Sequence, residues 1–414
     1  MATTDYAALA ELYRDLHAHP ELSFAEHRTA ALVAERLLAL GYETATGVGG
    51  TGVVGVLRNG EGPTALLRAD MDGLPVAERT GLPYASTATT TDADGAVVPV
   101  MHACGHDVHV TCLLGAAEVL AAEQTTWRGS VVVVFQPAEE LGRGAQAMLD
   151  DGLFDRFGRP DVVLGQHVAP LPAGFLGLRP GPAFAASDSL RVVLHGRGGH
   201  GSRPETAVDP IVMAAATVLR LQGVVSREVA GTETAVVTVG QVHAGTRPNI
   251  IPDSAELSVN VRSYDPRVRT RVLAAIERIA NAEAAASGAP RPPEFAFEES
   301  FPPVVNDPAA AARTRLGFEA ELGHGLVVDP GPVTGSEDVG LFATAAGVPC
   351  VYWLLGGADP AAFAGHSSLE DLAEVVRGLP SNHSAQFAPV VDPTLRTGVA
   401  ALVSAARTWL RAGV

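Results

Sequence analysis

The chain has 414 residues, past the ~250–300 at which a single hydrophobic core usually stops growing, so two domains are expected. Hydrophobic residues at 47% and charged residues at 18% fit an ordered globular protein and exclude a disordered one. The net charge of -17, with all 29 basic side chains arginine, argues against nucleic-acid or anionic-membrane partners, which need a basic surface.

Residues 5–19 and 25–40 carry Leu and Ala at helical spacing. This opening lacks the basic start and apolar run of a signal peptide, and no window approaches ~18 uninterrupted apolar residues. A cytoplasmic location is therefore expected. Cys104, Cys112 and Cys350 are too few and too scattered for a disulfide framework. GVGGTG at 47–52 matches a dinucleotide-loop spacing, but it precedes a strand instead of following one, so a turn is the better reading. Strands are expected at 52–57, 65–69, 131–135 and 162–165, and helices at 108–122 and 142–151. Strands alternating with helices indicate an α/β layer with a mostly parallel sheet and helices on both faces.

Near residue 186 the texture changes. Strands at 187–195, 234–243, 255–263 and 294–300, with helices at 208–226 and 266–286, give the order strand–helix–strand–strand–helix–strand. That is the split-βαβ, ferredoxin-like pattern of an α+β domain. The expected organisation is a catalytic domain over 1–185 and 301–414, interrupted by an inserted domain over 186–300. Helices near 306–322, 337–346 and 392–411 complete the catalytic part.

The chemistry-bearing residues are spread over distant segments. MHACGHDVH (101–109) offers Cys104, His106, Asp107 and His109. QPAEELG (136–142) places Glu139 and Glu140 after a buried strand, GQHVAP places His167 just after another, and SNHSAQF offers His383. Taken singly, a histidine or cysteine is more often a core group and a Glu pair more often a solvated surface. The Glu pair breaks that pattern, because two carboxylates at the edge of a core are costly unless something neutralises them. A metal bound by one would do so and leave the other free for proton transfer. His, carboxylate and thiolate donors suit Zn, Mn, Co or Ni. Two such ions can share one hydroxide and polarise a carbonyl together. Ligands in open α/β sheets bind beyond the carboxyl ends of strands, where these residues are expected to converge.

The segments LHAHPELSFAEHRTA, LLRADMDGLPV, MHACGHDVH, FQPAEE, GRGGHGSRPE, RPNIIPDSAEL, TGSEDVG and NHSAQF resemble the M20 metallopeptidase family. They are most similar to its amidohydrolase branch of hippurate hydrolases and auxin–amino acid conjugate hydrolases. The resemblance runs from about residue 10 to residue 390, with the motifs in order. It implies that Cys104, His106, Glu140, His167 and His383 ligate two divalent metals, Mn or Zn with Co or Ni as alternatives, with Cys104 bridging. It implies Glu139 as general acid/base and attack on an N-acyl amino acid amide by a metal-bridging hydroxide. His200 resembles the residue that reaches the carbonyl oxygen, often from a partner subunit. Asn249 resembles a substrate contact, and Arg262 the group that grips a substrate carboxylate. Asp72 matches an acidic residue near the metals, although the usual H-x-D reads D-M-D at 70–72. The inserted domain would be a lid and dimerisation domain, making the protein a homodimer that acts on a small molecule. Alternatives on the same scaffold are a dipeptidase, a carbamoylase, an N-acetyl-diaminopimelate-type deacetylase, or an inactive metabolite-binding homologue. His17, His19 and His27 are expected to be packing or surface residues, His109 to support the site, and His195 and His243 to be structural.

Overall fold

The computed structural model describes residues 4–92, 95–366 and 369–410. The chain divides into two compact units, one of residues 1–183, 305–331 and 338–414 and the other of 184–304 and 332–337.

The first unit is built on an eight-stranded sheet. Its strand order is Glu43–Val48, Gly52–Asn59, Gly129–Gln136, Thr64–Asp70, Val162–Pro172, Cys350–Ala358, Leu176–Gly177 and Val327–Val328. Four central strands run parallel: 129–136 beside 64–70, then 162–172, then 350–358. The antiparallel pair 43–48 and 52–59 closes one side. Alternation along each strand sends Ala65, Leu67, Val131, Val133, Phe135, Leu164 and Trp353 to one face. There they join the helices Tyr6–Ala18, His27–Ala39, His106–Ala122, Pro308–Leu322 and Thr394–Leu410 in one buried cluster. The opposite face carries the short helices Gly144–Asp150 and Gly340–Ala346.

Two central elements differ from the sequence expectation. Cys350–Ala358 is a central strand that the sequence does not announce, because a strand buried on both faces loses its alternation. The strand at 162 does not end at 165: it continues to Pro172, so His167 lies within it and not beyond it. The GVGGTG segment is a turn, joining 43–48 to 52–59 through Gly47, Gly49 and Gly50 at positive φ.

The second unit is a four-stranded antiparallel sheet in the order Ala235–Ala244, Ser254–Ser263, Ala186–His195, Glu294–Phe301. In chain order that is second, third, first, fourth, the ferredoxin-like arrangement expected. Helices Pro210–Glu228 and Pro266–Ala286 bury Met213, Leu221, Val272 and Ile276 against Val192, Leu257 and Val259 of the sheet. Residues 332–337 belong here and not with the returning segment. Ala185 N–H donates to the carbonyls of Val333 and Gly335, and Tyr264 hydroxyl donates to that of Val333.

Candidate metal centre

The parallel strands bring their carboxyl ends to one edge of the sheet, and the donors gather there. Gly105, at φ 84, ends the loop before helix His106–Ala122. A Cβ at this position would sit 2.4 Å from Val168 Cγ1, so only glycine lets Cys104 and His106 flank it so closely. Cys104, His106 and His167 form one group whose ligand atoms all lie within 4.8 Å of one another. Cys104, Glu140 and His383 form a second to the same limit, and the two share the thiol. Cys104 Sγ is 3.4 Å from His167 Nε2, and His383 Nε2 is 3.4 Å from Glu140 Oε2. Glu139 belongs to neither thiol group; its Oε2 is 3.9 Å from His106 Nε2. His106, Glu139 and His167 are buried, whereas His383 is exposed.

Hydrogen bonds fix the tautomers. His167 Nδ1 faces the Val168 carbonyl at 2.8 Å, which can only accept, so Nδ1 carries the proton and Nε2 turns a lone pair toward Cys104. His109 Nε2 accepts from Val168 N–H at 2.8 Å while Nδ1 donates to Asp70. Both nitrogens are thus engaged, and His109 braces the site without a lone pair to offer it. Asn382 donates to the carbonyls of Cys104 and Val168 at 3.0 and 3.1 Å, and His383 N–H donates to Ala103 at 2.8 Å. These bonds join the distant 381–387 segment to the other donors.

Asp72 lies behind the Glu pair. It accepts from Glu139 N–H at 3.1 Å, Glu140 N–H at 3.0 Å and Ser23 hydroxyl at 2.6 Å, and its Oδ1 is 3.3 Å from His106 Nδ1. Deeper in, Arg68 is fully buried among Asp70, Asp338, Gln136 and Tyr352. In the sequence Arg68 and Asp70 show only a spacing of two within a strand, which places them on a shared face without marking it as charged and buried.

Among the described residues, no hydrogen bond reaches either ring nitrogen of His106 or Oε1 of Glu140, all of which are buried. Burial works against charge on His106, but Asp70, Asp72 and Glu140 outweigh it and hold its pKa at about 10. Burial, partly offset by His106 and reinforced by Asp72 and Asp70, pushes Glu140 up to about 8. Carboxylates crowded this closely demand positive charge, and a divalent cation meets that demand as protons do. The donor set therefore fits such ions.

Among the other predicted residues, His17 is buried between Asp107 and Glu78, while His19, just past the end of the first helix, and His27, at the start of the second, are exposed. In the second unit His200 and Asn249 are exposed neighbours: Gly201 N–H donates to Asn249 carbonyl at 2.8 Å. His200 Nδ1 accepts from Ser202 N–H at 3.1 Å, which leaves Nε2–H to donate outward. Arg262 is half-buried, donating to Asn260, to Thr334 carbonyl and to Ser336. His200 and Arg262 are not brought together within this unit. His195, the last residue of its strand before His200, pairs with Ser254, and Ser187 pairs with Arg262. The eight residue steps from Ser254 to Arg262 extend roughly 26 Å along the sheet.

An open α/β sheet with histidine, carboxylate and thiol donors at its carboxyl edge defines a hydrolase domain of the metal-dependent kind. The chain belongs to Peptidase family M20/M25/M40, which matches residues 66–380, and within it to the amidohydrolase branch. It is 36% identical over 353 residues to Thermostable carboxypeptidase 1 of Saccharolobus solfataricus, covering 84% of this chain and 85% of that protein. It is 40% identical over 337 residues to Hippurate hydrolase of Campylobacter jejuni, covering 80% and 84%. Its fold matches the crystal structure of the Bacillus subtilis YXEP protein, described as a dinuclear metal binding peptidase, with TM-score 0.77 and 29% identity over 98% of each chain.

Proposed function

We propose that this hydrolase cleaves the amide bond of N-acyl amino acids, with Cys104, His106, Glu140, His167 and His383 holding two divalent metals and Glu139 as general acid/base. The observation that carries the reading is the pair of donor groups sharing Cys104, with Glu139 beside them and outside both. A thiolate shared by two sites is suited to bridging, and the mixed donor set suits Zn or Mn, with Co or Ni as alternatives. The metals would supply Lewis acidity toward the carbonyl and lower the pKa of the attacking water. Glu139 takes the proton from that water and delivers it to the departing nitrogen. His200 Nε2–H donates to the carbonyl oxygen as negative charge develops on it. Arg262, with its planar fork of donors, receives the substrate carboxylate, and Asn249 makes a further substrate contact.

His200 follows the strand end at His195, while Arg262 pairs with Ser187 toward the other end of that strand, which supports their serving one site from two different chains. The second unit has a surface suited to that pairing. Its edge strand, AVVTVGQVHA, bears no acidic or fixed basic residue and leaves Val236 and Val242 exposed, and the helix Pro210–Glu228 exposes Val212 and Leu219. We read it as the homodimer surface. Cys104, Cys112 and Cys350 are buried thiols outside any disulfide, which suits a cytoplasmic location; among the described residues no helix is long and apolar enough to cross a membrane.

The test is hydrolysis of a panel of N-acetyl and N-benzoyl amino acids with Mn, Zn, Co and Ni added in turn. Metal-dependent release of free amino acid is expected, and no release from any member would overturn the reading. The carboxypeptidase relative favours a second reading, cleavage of a C-terminal residue from peptides. Blocked dipeptides in the same panel separate the two.

A further inference from the structure

The turn that presents Glu139 and Glu140 is held by more than Asp72. Three consecutive backbone amides, those of Ala138, Glu139 and Glu140, all donate to buried carboxylates. The last two go to Asp72. The first goes to Glu26, whose Oε1 accepts from Ala138 N–H at 2.8 Å. Ala138 is one of few non-glycine residues at positive φ, at 46°, a conformation an L residue adopts only when its surroundings impose it. Glu26 is fully buried, and its other oxygen receives the Thr51 hydroxyl.

Thr51 is delivered by the glycine turn at 47–52. A Cβ on Gly49 would lie 2.5 Å from Met148 N, and one on Gly52 2.9 Å from Met148 Cε and 3.1 Å from Pro137 Cδ. Glycine at these positions lets the turn pack directly against Pro137 and helix Gly144–Asp150. Close packing under the Glu139 turn thus accounts for Gly49 and Gly52, and a positive φ for Gly47.

We infer that Glu26 is a positioning residue for catalysis: with Thr51, it holds Ala138 in its left-handed turn so that the Glu139 carboxylate faces the reacting centre. The inference rests on the proposed acid/base role of Glu139. Among the described residues, no hydrogen bond of Glu26 reaches the side chain of a proposed metal ligand, so metal content serves as the control that separates an effect at Glu139 from loss of metal through the adjacent Glu140.

The experiment compares Glu26→Ala, Glu26→Gln and Thr51→Val in the metal-loaded full chain. Glu26→Ala is expected to lower kcat about 10- to 100-fold, the scale on which small misplacements act. KM should stay within about threefold and metal content should remain at the wild-type level. Amide exchange of the peptide covering 136–142 should accelerate. Glu26→Gln retains a carbonyl acceptor of the same size and should recover kcat to within about threefold of wild type. Wild-type kcat in Glu26→Ala, or a fall in kcat that tracks lost metal, overturns the inference. Should Glu26→Ala not fold, Thr51→Val decides: faster exchange at 136–142 with reduced kcat supports the inference, and no change in either defeats it. Glu139→Gln run alongside separates the two levels. If it keeps wild-type kcat, the acid/base assignment falls and takes the inference with it. If it is slow while folded Glu26→Ala is not, only the inference falls.

Discussion

In the sheet unit the candidate donors are fixed from behind. His167 is locked to a backbone carbonyl, Glu139 and Glu140 hang from amides tied to Asp72, and Asn382 ties the His383 segment to Cys104 and Val168. In the second unit His200 and Asn249 stand on an exposed two-stranded ribbon, and the nearest polar partner of the His200 ring is its own neighbour Ser202. One region is preorganised and largely dry, and the other is wet and awaits a surface. The difference separates two tasks. Groups that move protons need to be held to fractions of an ångström beforehand, whereas groups proposed to contact the substrate can be brought into place when it binds.

Breaking the preorganised side should cost most. Glu139→Gln is expected to lower kcat by about 10²–10⁴, or ~2.7–5.5 kcal/mol of barrier, with metal content and fold unchanged. Near-normal turnover with full metal would show that the fixed carboxylate is not the base. The bracing behind the site is tested next through His17, which lies 2.6 Å from Asp107 and 3.1 Å from Glu78. Burial opposes its protonation, but Asp107 and then Glu78 outweigh burial and hold its pKa at about 10, above the ordinary 6.5. Its stabilising contribution is therefore complete below pH 6.5 and is lost as pH climbs through about 10. His17→Gln should destabilise the fold by about 3–5 kcal/mol at neutral pH by leaving two buried carboxylates without their cation. It should also flatten the loss of stability between pH 6.5 and 10 seen by denaturant unfolding; parallel curves for the two proteins would count against that assignment. On the exposed side, His200→Ala should cost about 10²–10³ in kcat, the scale of one lost oxyanion donor. Mixing it with Glu139→Gln subunits should recover part of the activity if His200 serves a neighbouring chain, and no recovery would place it in its own.

Much of this was legible in the sequence. The candidate residues Glu139, Glu140 and His167 lie on or just beyond apolar strands, while Cys104, His106 and His383 stand out only through the motifs MHACGHDVH and SNHSAQF; the ferredoxin-like unit keeps clean alternation because one sheet face is solvated. What hid was of three kinds. The Cys350–Ala358 strand carries no period, since both its faces are covered. The supporting charges Arg68 and Asp70 sit inside a strand, where no sequence rule anticipates a buried guanidinium. Glu26, just before helix His27–Ala39, reads as an ordinary helix-start residue, yet its side chain makes no cap and reaches instead to Ala138, 112 positions away. Tertiary partners at that range leave no local mark.

Arg68 has a mechanical consequence. Its guanidinium meets groups from four separate stretches of chain, at 70, 136, 338 and 352. Withdrawing Asp70 or Asp338 would leave a buried guanidinium short of a counter-charge, at a cost comparable to a sizeable share of a domain's whole stability. One side chain thereby ties the strands Thr64–Asp70, Gly129–Gln136 and Cys350–Ala358 to the segment at Asp338, so that loosening either carboxylate would be felt at the other points.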